Sequence, residues 1–181
     1  LNQDKVRQIE EYYAQCELEG ANEHQVEESQ KAVAKMEVII GDPDRLRAVA
    51  EDFIKHYETR VAEGATVAGK AMFVCSNRNI AYDFYKIVKE LRPKWTEKKI
   101  CDDGVVLSEK DKKELKPMEK IKLVMTRNKD DEKDLFDMLG TKEDRKEFDR
   151  QFKNPKSNFK IAIVVDMWLT GFDVPELDTI Y

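Results

Sequence analysis

Apolar positions along this chain change rhythm once, and the change divides it. Up to about residue 64 they recur at three- and four-residue steps, the spacing of one helix face. Val6, Ile9, Tyr13 and Cys16 make a first stripe, Gly20 to Asn22 break it, and Val26, Val33, Met36 and Ile40 make a second. Gly41-Asp42-Pro43-Asp44 reads as a restart. Asp42 can cap orphan N–H groups there, and Pro43 suits the first helical position. Leu46, Val49, Ala50, Phe53, Ile54, Tyr57 and Val61 then follow on one face until Gly64, a helix stop. Residues 1–65 are therefore expected to form a helical lead-in.

From Gly69 onward the apolar runs are short. Ala71 to Cys75 reads as a buried strand, Ser76-Asn77-Arg78-Asn79 as a polar turn and helix cap. Ile80, Ala81, Phe84, Val88 and Leu91 line a helix that Pro93 ends. Residues 95–119 show no period and many charges, an irregular insertion with room for a short helix. Ile121 to Met125 is a second strand, and Asp130 to Leu139 a short helix closed by Gly140. Thr141-x-x-Asp144 resembles a capping box with Asp in place of Glu, opening a helix that carries Phe148 and Phe152 and stops near Asn154-Pro155. Ile161 to Val165 is an unbroken apolar run, suited to a strand buried on both faces of a parallel sheet. The loop MWLTGFDVP and a last run closing with Ile180 and Tyr181 follow. Strand, helix, strand, helix pair, strand, loop, strand implies right-handed crossovers and a mainly parallel α/β sheet with flanking helices over residues 66–181. Because the last run reads as a strand, the chain is expected to be a piece of a longer protein.

Composition narrows the class without naming it. Charged residues make up 38% and apolar residues 41%, with only seven Gly and five Pro, a mix that favours long solvent-washed helices. A net charge of −5 argues against a protein basic all over, yet 32 Lys and Arg leave room for a local basic strip. No apolar stretch approaches membrane length, and the opening LNQDKVRQIEEYY is not export-like. Cys16, Cys75 and Cys101 are far apart and odd in number, and the only histidines are His24 and His56. The expectation is reduced thiols in a cytoplasmic protein, with no zinc site and no membrane.

Candidate chemistry gathers where strands end. Open α/β sheets bind ligands beyond the carboxyl ends of their strands. Asp166, Thr170, Gly171 and Asp173 follow one strand, Ser76, Asn77 and Arg78 another, Thr126 and Arg127 a third. Hydroxyl, amide and guanidinium groups on one edge suit phosphate oxygens. The alternatives stand beside this: Asp166 and Asp173 as turn formers, Gly171 as a backbone necessity, and Arg145 paired with Asp149 one turn on. Gly64-Ala65-Thr66-Val67-Ala68-Gly69-Lys70-Ala71 approaches a phosphate loop, but Ala71 replaces the metal-binding hydroxyl, and the segment follows a helix and opens a strand, the reverse of what such a loop needs.

The segment IVVDMWLTGFDVPELDTIY resembles the motor (R) subunit of type I restriction–modification enzymes. IAIVVDMWLTGFDVP looks like that family's helicase motif V, KAMFVCSNRNIAYDFY like its motif IV strand and turn, and the stretch from KIKLVMTRNKDD to RKEFDRQFKNP also fits. The likeness covers about residues 70–181; residues 1–69 fit the family's lead-in loosely. It implies the second of two RecA-like domains of a superfamily 2 translocase, truncated before motif VI. It implies that Gly171 and Asp173 face ATP, that Ser76, Arg78 and Thr170 lie near the DNA backbone, and that Arg145, seven residues before Phe152, matches the strand-binding arginine of motif IVa. The phosphate loop and Mg²⁺ ligands would belong to the first RecA-like domain, the nuclease site to another domain. Double-stranded DNA and the methyltransferase and specificity subunits are the implied partners. Val165 and Thr170 depart from the broader superfamily, where Thr and Arg are usual, and fit the type I subfamily. The parent is expected to be an ATP-dependent site-specific deoxyribonuclease and this piece alone inactive. Another superfamily 2 DNA helicase or repair translocase, or a non-catalytic RecA-like binding module, are the alternatives.

Overall fold

The computed structural model describes residues 28, 29, 31, 39–165, 167, 168 and 173–181. Both N-terminal stripes up to Met36, and Asp166, Thr170 and Gly171, lie outside the described residues. The chain divides into two compact units, residues 1–42 and Pro43–Tyr181. In the second, helix α1 (Pro43–Ala62) is followed by β1 (Lys70–Val74), α2 (Arg78–Leu91), a 3₁₀ turn at Pro93–Thr96, α3 (Glu109–Glu114), β2 (Ile121–Val124), α4 (Lys133–Leu139), α5 (Lys142–Lys153), β3 (Ile161–Val164) and β4 (Leu177–Ile180).

The four strands form one parallel sheet in the order β2-β3-β1-β4, an α/β arrangement consistent with a RecA-like fold. Alternation along each strand builds two cores. Ala71, Phe73, Ile121, Leu123, Ile161 and Ile163 face one side, against α1, α2 and α4 through Phe53, Phe84 and Leu135. Met72, Val124, Ala162 and Val164 face the other, against Phe148 and Phe152 of α5 and against Trp168 and Val174. These sides follow from chain direction. The β1-to-β2 crossover runs one way along the sheet and carries α2. The β2-to-β3 connection runs the other way; its α4 stays on the first side, while α5, which leads into β3, lies on the opposite face, as do Trp168 and Val174 beyond β3. There Trp168 stacks on Phe152 with ring centroids 5.5 Å apart.

Local signals are realised closely. Asn77 caps α2, its Oδ1 accepting from Ile80 N–H at 3.0 Å. Thr141 and Asp144 form the reciprocal capping box of α5. Gly64 and Gly69 both take positive φ after α1, and the Tyr57 hydroxyl donates to the Gly69 carbonyl at 2.9 Å. Two residues of the α1 stripe depart from the expected face: Val49 is 41% and Val61 40% exposed. Val49 falls just outside the buried arc at about 100° per residue, and Val61 sits in the last turn. The 95–119 insertion, without a sequence period, is held by side-chain bonds to distant backbone. Gln151 Nε2 donates to the Glu114 carbonyl at 2.9 Å, and Asn158 Nδ2 to the Met118 carbonyl at 2.6 Å. Trp95 packs edge-on to Tyr57.

Candidate functional site at the carboxyl edge of the sheet

Register sets the height of the site. Val74 and Val124 both pair with Val164, so β1, β2 and β3 end level. Ser76 and Thr126 each lie two residues past those paired positions, and both are exposed. β1 and β3 are neighbours whose onward connections leave in opposite directions on opposite faces. That makes the crevice between their carboxyl ends a topological switch point, where open α/β sheets take ligands. Cys75 N–H donates to the Val164 carbonyl at 2.9 Å and seals the floor of that crevice.

Three loops reach this edge. After β1 comes Ser76, then the Asn77 cap, so the first N–H groups of α2 open there. After β2 come Thr126, Arg127 and a turn at Asn128–Asp131, in which Asp131 N–H donates to the Asn128 carbonyl at 3.2 Å. After β3 the loop carries Trp168 at φ 61°, a left-handed conformation that a bulky side chain adopts only where packing holds it. The same loop continues to Asp173, whose side chain is exposed, and Val174, which is buried. Thr170 and Gly171 belong to this loop but lie outside the described residues.

The expected arginines are placed differently from each other. Arg145 is half-buried in the first turn of α5, and among the described residues no ion pair includes it. Asp149, the partner that the alternative reading gave it, sits instead 3.0 Å from Lys153. Arg127, beside the α5 start, lies with its guanidinium 4.3 Å from the Phe136 ring centroid. Arg78 turns inward: Nη1 donates to the Thr126 carbonyl at 2.7 Å, and Nη2 to both Asp131 carboxylate oxygens at 2.6 Å. Sequence reading gave Arg78 a ligand-facing place but missed Asp131, whose acidic run Asp130-Asp131-Glu132 shows no local cue to a buried partner.

The segment that approached a phosphate loop has other commitments. Val67 and Lys70 N–H donate to the Asp178 carboxylate at 2.8 and 3.1 Å, and Lys70 Nζ to the Phe159 carbonyl at 2.5 Å. Its backbone donors already hold an anion from the chain itself, so it does not fit a nucleotide phosphate. Burial, with the neighbouring Lys160 cation adding to it, lowers Lys70 to about 7. No helix among the described residues is long and apolar enough to cross a membrane.

Comparison with known proteins is consistent with this geometry. Residues 67–181 match the model for type I restriction enzyme subunit R domain 3. The chain is 33% identical over 155 residues to the type I restriction enzyme HindI endonuclease subunit of Haemophilus influenzae, covering 86% of the chain and 13% of that relative. It is 36% identical over 163 residues to the putative type I restriction enzyme MjaIXP endonuclease subunit of Methanocaldococcus jannaschii, covering 89% and 13%. It thus spans about an eighth of the length of these curated relatives. No solved structure matches significantly.

Proposed function

Because the chain belongs to the type I restriction enzyme R-subunit family, we propose that it is part of that subunit's ATP-dependent DNA motor, supplying the second RecA-like domain. What carries the reading is the level carboxyl edge, where Ser76 and Thr126 stand exposed beside a switch point. Donors of this kind contact phosphates without reading bases. In this reading Ser76, Thr170 and Arg145 face the backbone of duplex DNA, and Arg78 lies behind them at the same edge, bonded to Thr126 and Asp131. Gly171 and Asp173 face ATP across the cleft to the first RecA-like domain of the same protein. The phosphate-holding residues and the Mg²⁺ ligands are assigned to that first domain, since the glycine-lysine segment here is occupied by Asp178. Methyltransferase and specificity subunits complete the cytoplasmic assembly, and sequence recognition resides with the latter.

Two measurements test this. The isolated chain, with or without duplex DNA, is expected to show no ATP turnover; DNA-stimulated, ATP-saturable turnover would defeat the division of labour. In the full-length protein, Arg145→Ala should weaken duplex binding equally for all sequences and reduce the slope of log affinity against log salt by roughly one unit. Affinity and slope equal to the unsubstituted protein's would remove Arg145 from the DNA side.

A further inference from the structure

The loops after β1 and β2 are joined by one side chain. Arg78 opens α2, yet its guanidinium leaves that helix and crosses to the next loop. There it donates to the Thr126 carbonyl and, through Nη2, to both oxygens of Asp131. Asp131 in turn accepts from Asn128 N–H at 2.6 Å, closing the turn from the inside. The pair is sheltered, with side-chain exposures of 17% for Arg78 and 6% for Asp131. An exposed ion pair between flexible side chains contributes little, but a sheltered and multiply hydrogen-bonded one fixes geometry. Three of the five N–H donors of the Arg78 guanidinium go to Thr126 and Asp131, which turns its Nη2 away from an outside phosphate.

We propose that Arg78 is a positioning residue for the ligand-facing edge, acting through Asp131, and that Asp131 belongs to the functional site as fully as Arg78 does. The pair ties Thr126, Arg127 and Asn128 to the start of α2. Ser76 and Thr126 therefore meet a ligand as one preorganised surface and not as two independent loops. This rests on the reading of the edge as a DNA-phosphate surface. The chemistry explains why an arginine is needed: lysine keeps the charge but cannot donate at once to a carbonyl and a carboxylate in the fixed planar geometry seen here.

The test uses the full-length protein carrying Arg78→Ala, Arg78→Lys, Asp131→Asn, or Arg78→Ala with Asp131→Asn. Duplex DNA affinity is titrated at several salt concentrations, and amide exchange is followed across residues 126–131. We expect the single variants to lose DNA affinity by the same factor, of order tenfold, with the salt slope unchanged. The double variant should lose no more than either single one, because both remove one interaction. Arg78→Lys should resemble Arg78→Ala, and Asn128 N–H should exchange faster in every variant. Three results would overturn the proposal: a slope reduced by about one unit in Arg78→Ala while Asp131→Asn binds as well or better, which makes Arg78 a phosphate contact; full rescue by Arg78→Lys; or unchanged exchange at Asn128. The exchange arm needs no DNA, so it decides the local coupling even if the unsubstituted protein fails to bind duplex and the motor reading falls.

Discussion

The two edges of this sheet hold similar residue types and use them in opposite ways. At the amino edge, Lys70 and Lys160 are buried and consumed: Lys70 by the Phe159 carbonyl, Lys160 by the Pro155 carbonyl at 2.7 Å and by Asp102 at 3.5 Å. Asp178 is consumed by backbone N–H groups. At the carboxyl edge, Ser76, Thr126 and Asp173 are exposed. Polar groups in the first place hold strands and connections together; those in the second are left available to something outside the unit. A lysine or an aspartate in an α/β loop therefore says little about function until its edge is known. Arg78 shows the boundary case, since it lies on the available edge but is committed inward.

The contrast can be broken in graded ways. The largest effect should come from the buried side. Phe152 is fully buried between Phe159 and Trp168, and Phe152→Ala is expected to lower unfolding free energy by about 3–5 kcal/mol in urea titration. A loss below about 1 kcal/mol would mean that the α5 face is not a packed core.

A smaller effect is expected from pH at the amino edge. Lys70 is lowered to about 7 from its ordinary 10.5, chiefly by burial. Below pH 7 it is charged in both folded and unfolded chains. Above it the unfolded chain still binds the proton that the folded chain has shed, so stability rises with pH by up to about 1.4 kcal/mol per unit. Lys160, also lowered mainly by burial, acts with the same sign. Cys75 and Tyr85 oppose them: burial raises both to about 12, so the unfolded chain loses those protons first once pH passes 9 and 10. Stability should therefore rise from pH 7 to about 9 and then turn over. Lys70→Met should flatten the rise. A profile that falls between pH 7 and 9, or one that Lys70→Met leaves unaltered, would show that Lys70 does not titrate this way.

The smallest stability effect belongs to the available edge. Asp173→Ala should change unfolding free energy by no more than about 0.5 kcal/mol. In the full-length protein the same substitution should slow ATP-driven translocation at least tenfold. A large loss of thermal stability with translocation intact would make Asp173 a turn former and erase the difference between the edges.

Much of the frame was legible because it is local. The order of strands and helices, the Asn77 cap and the Thr141–Asp144 box depend on residues within four positions of one another, where period and capping rules operate. The arrangement of the insertion was not, because Gln151 reaches Glu114 and Asn158 reaches Met118 across about forty residues of chain. A signal was present at Gln151, a polar residue beside Phe152 on a helix whose apolar face it shares. Likewise the burial of Lys70 was hidden by its charge, since an amphipathic stem packs like an apolar one and its ammonium can end on a carbonyl. For the site, sequence identified the loops but not the inward turn of Arg78, which only the Asp131 contact reveals.

The placement of the tryptophans has a practical consequence. The chain contains two, and the sheet separates them: Trp95 packs with the first core, and Trp168 with the second. Replacing Trp95 by Phe would leave a single indole fluorophore, seated on Phe152 in the very loop that follows β3. Its emission would then respond to rearrangement of that loop and stay blind to the α1–α2 side, so an optical signal from the carboxyl edge comes built into the native sequence without a label.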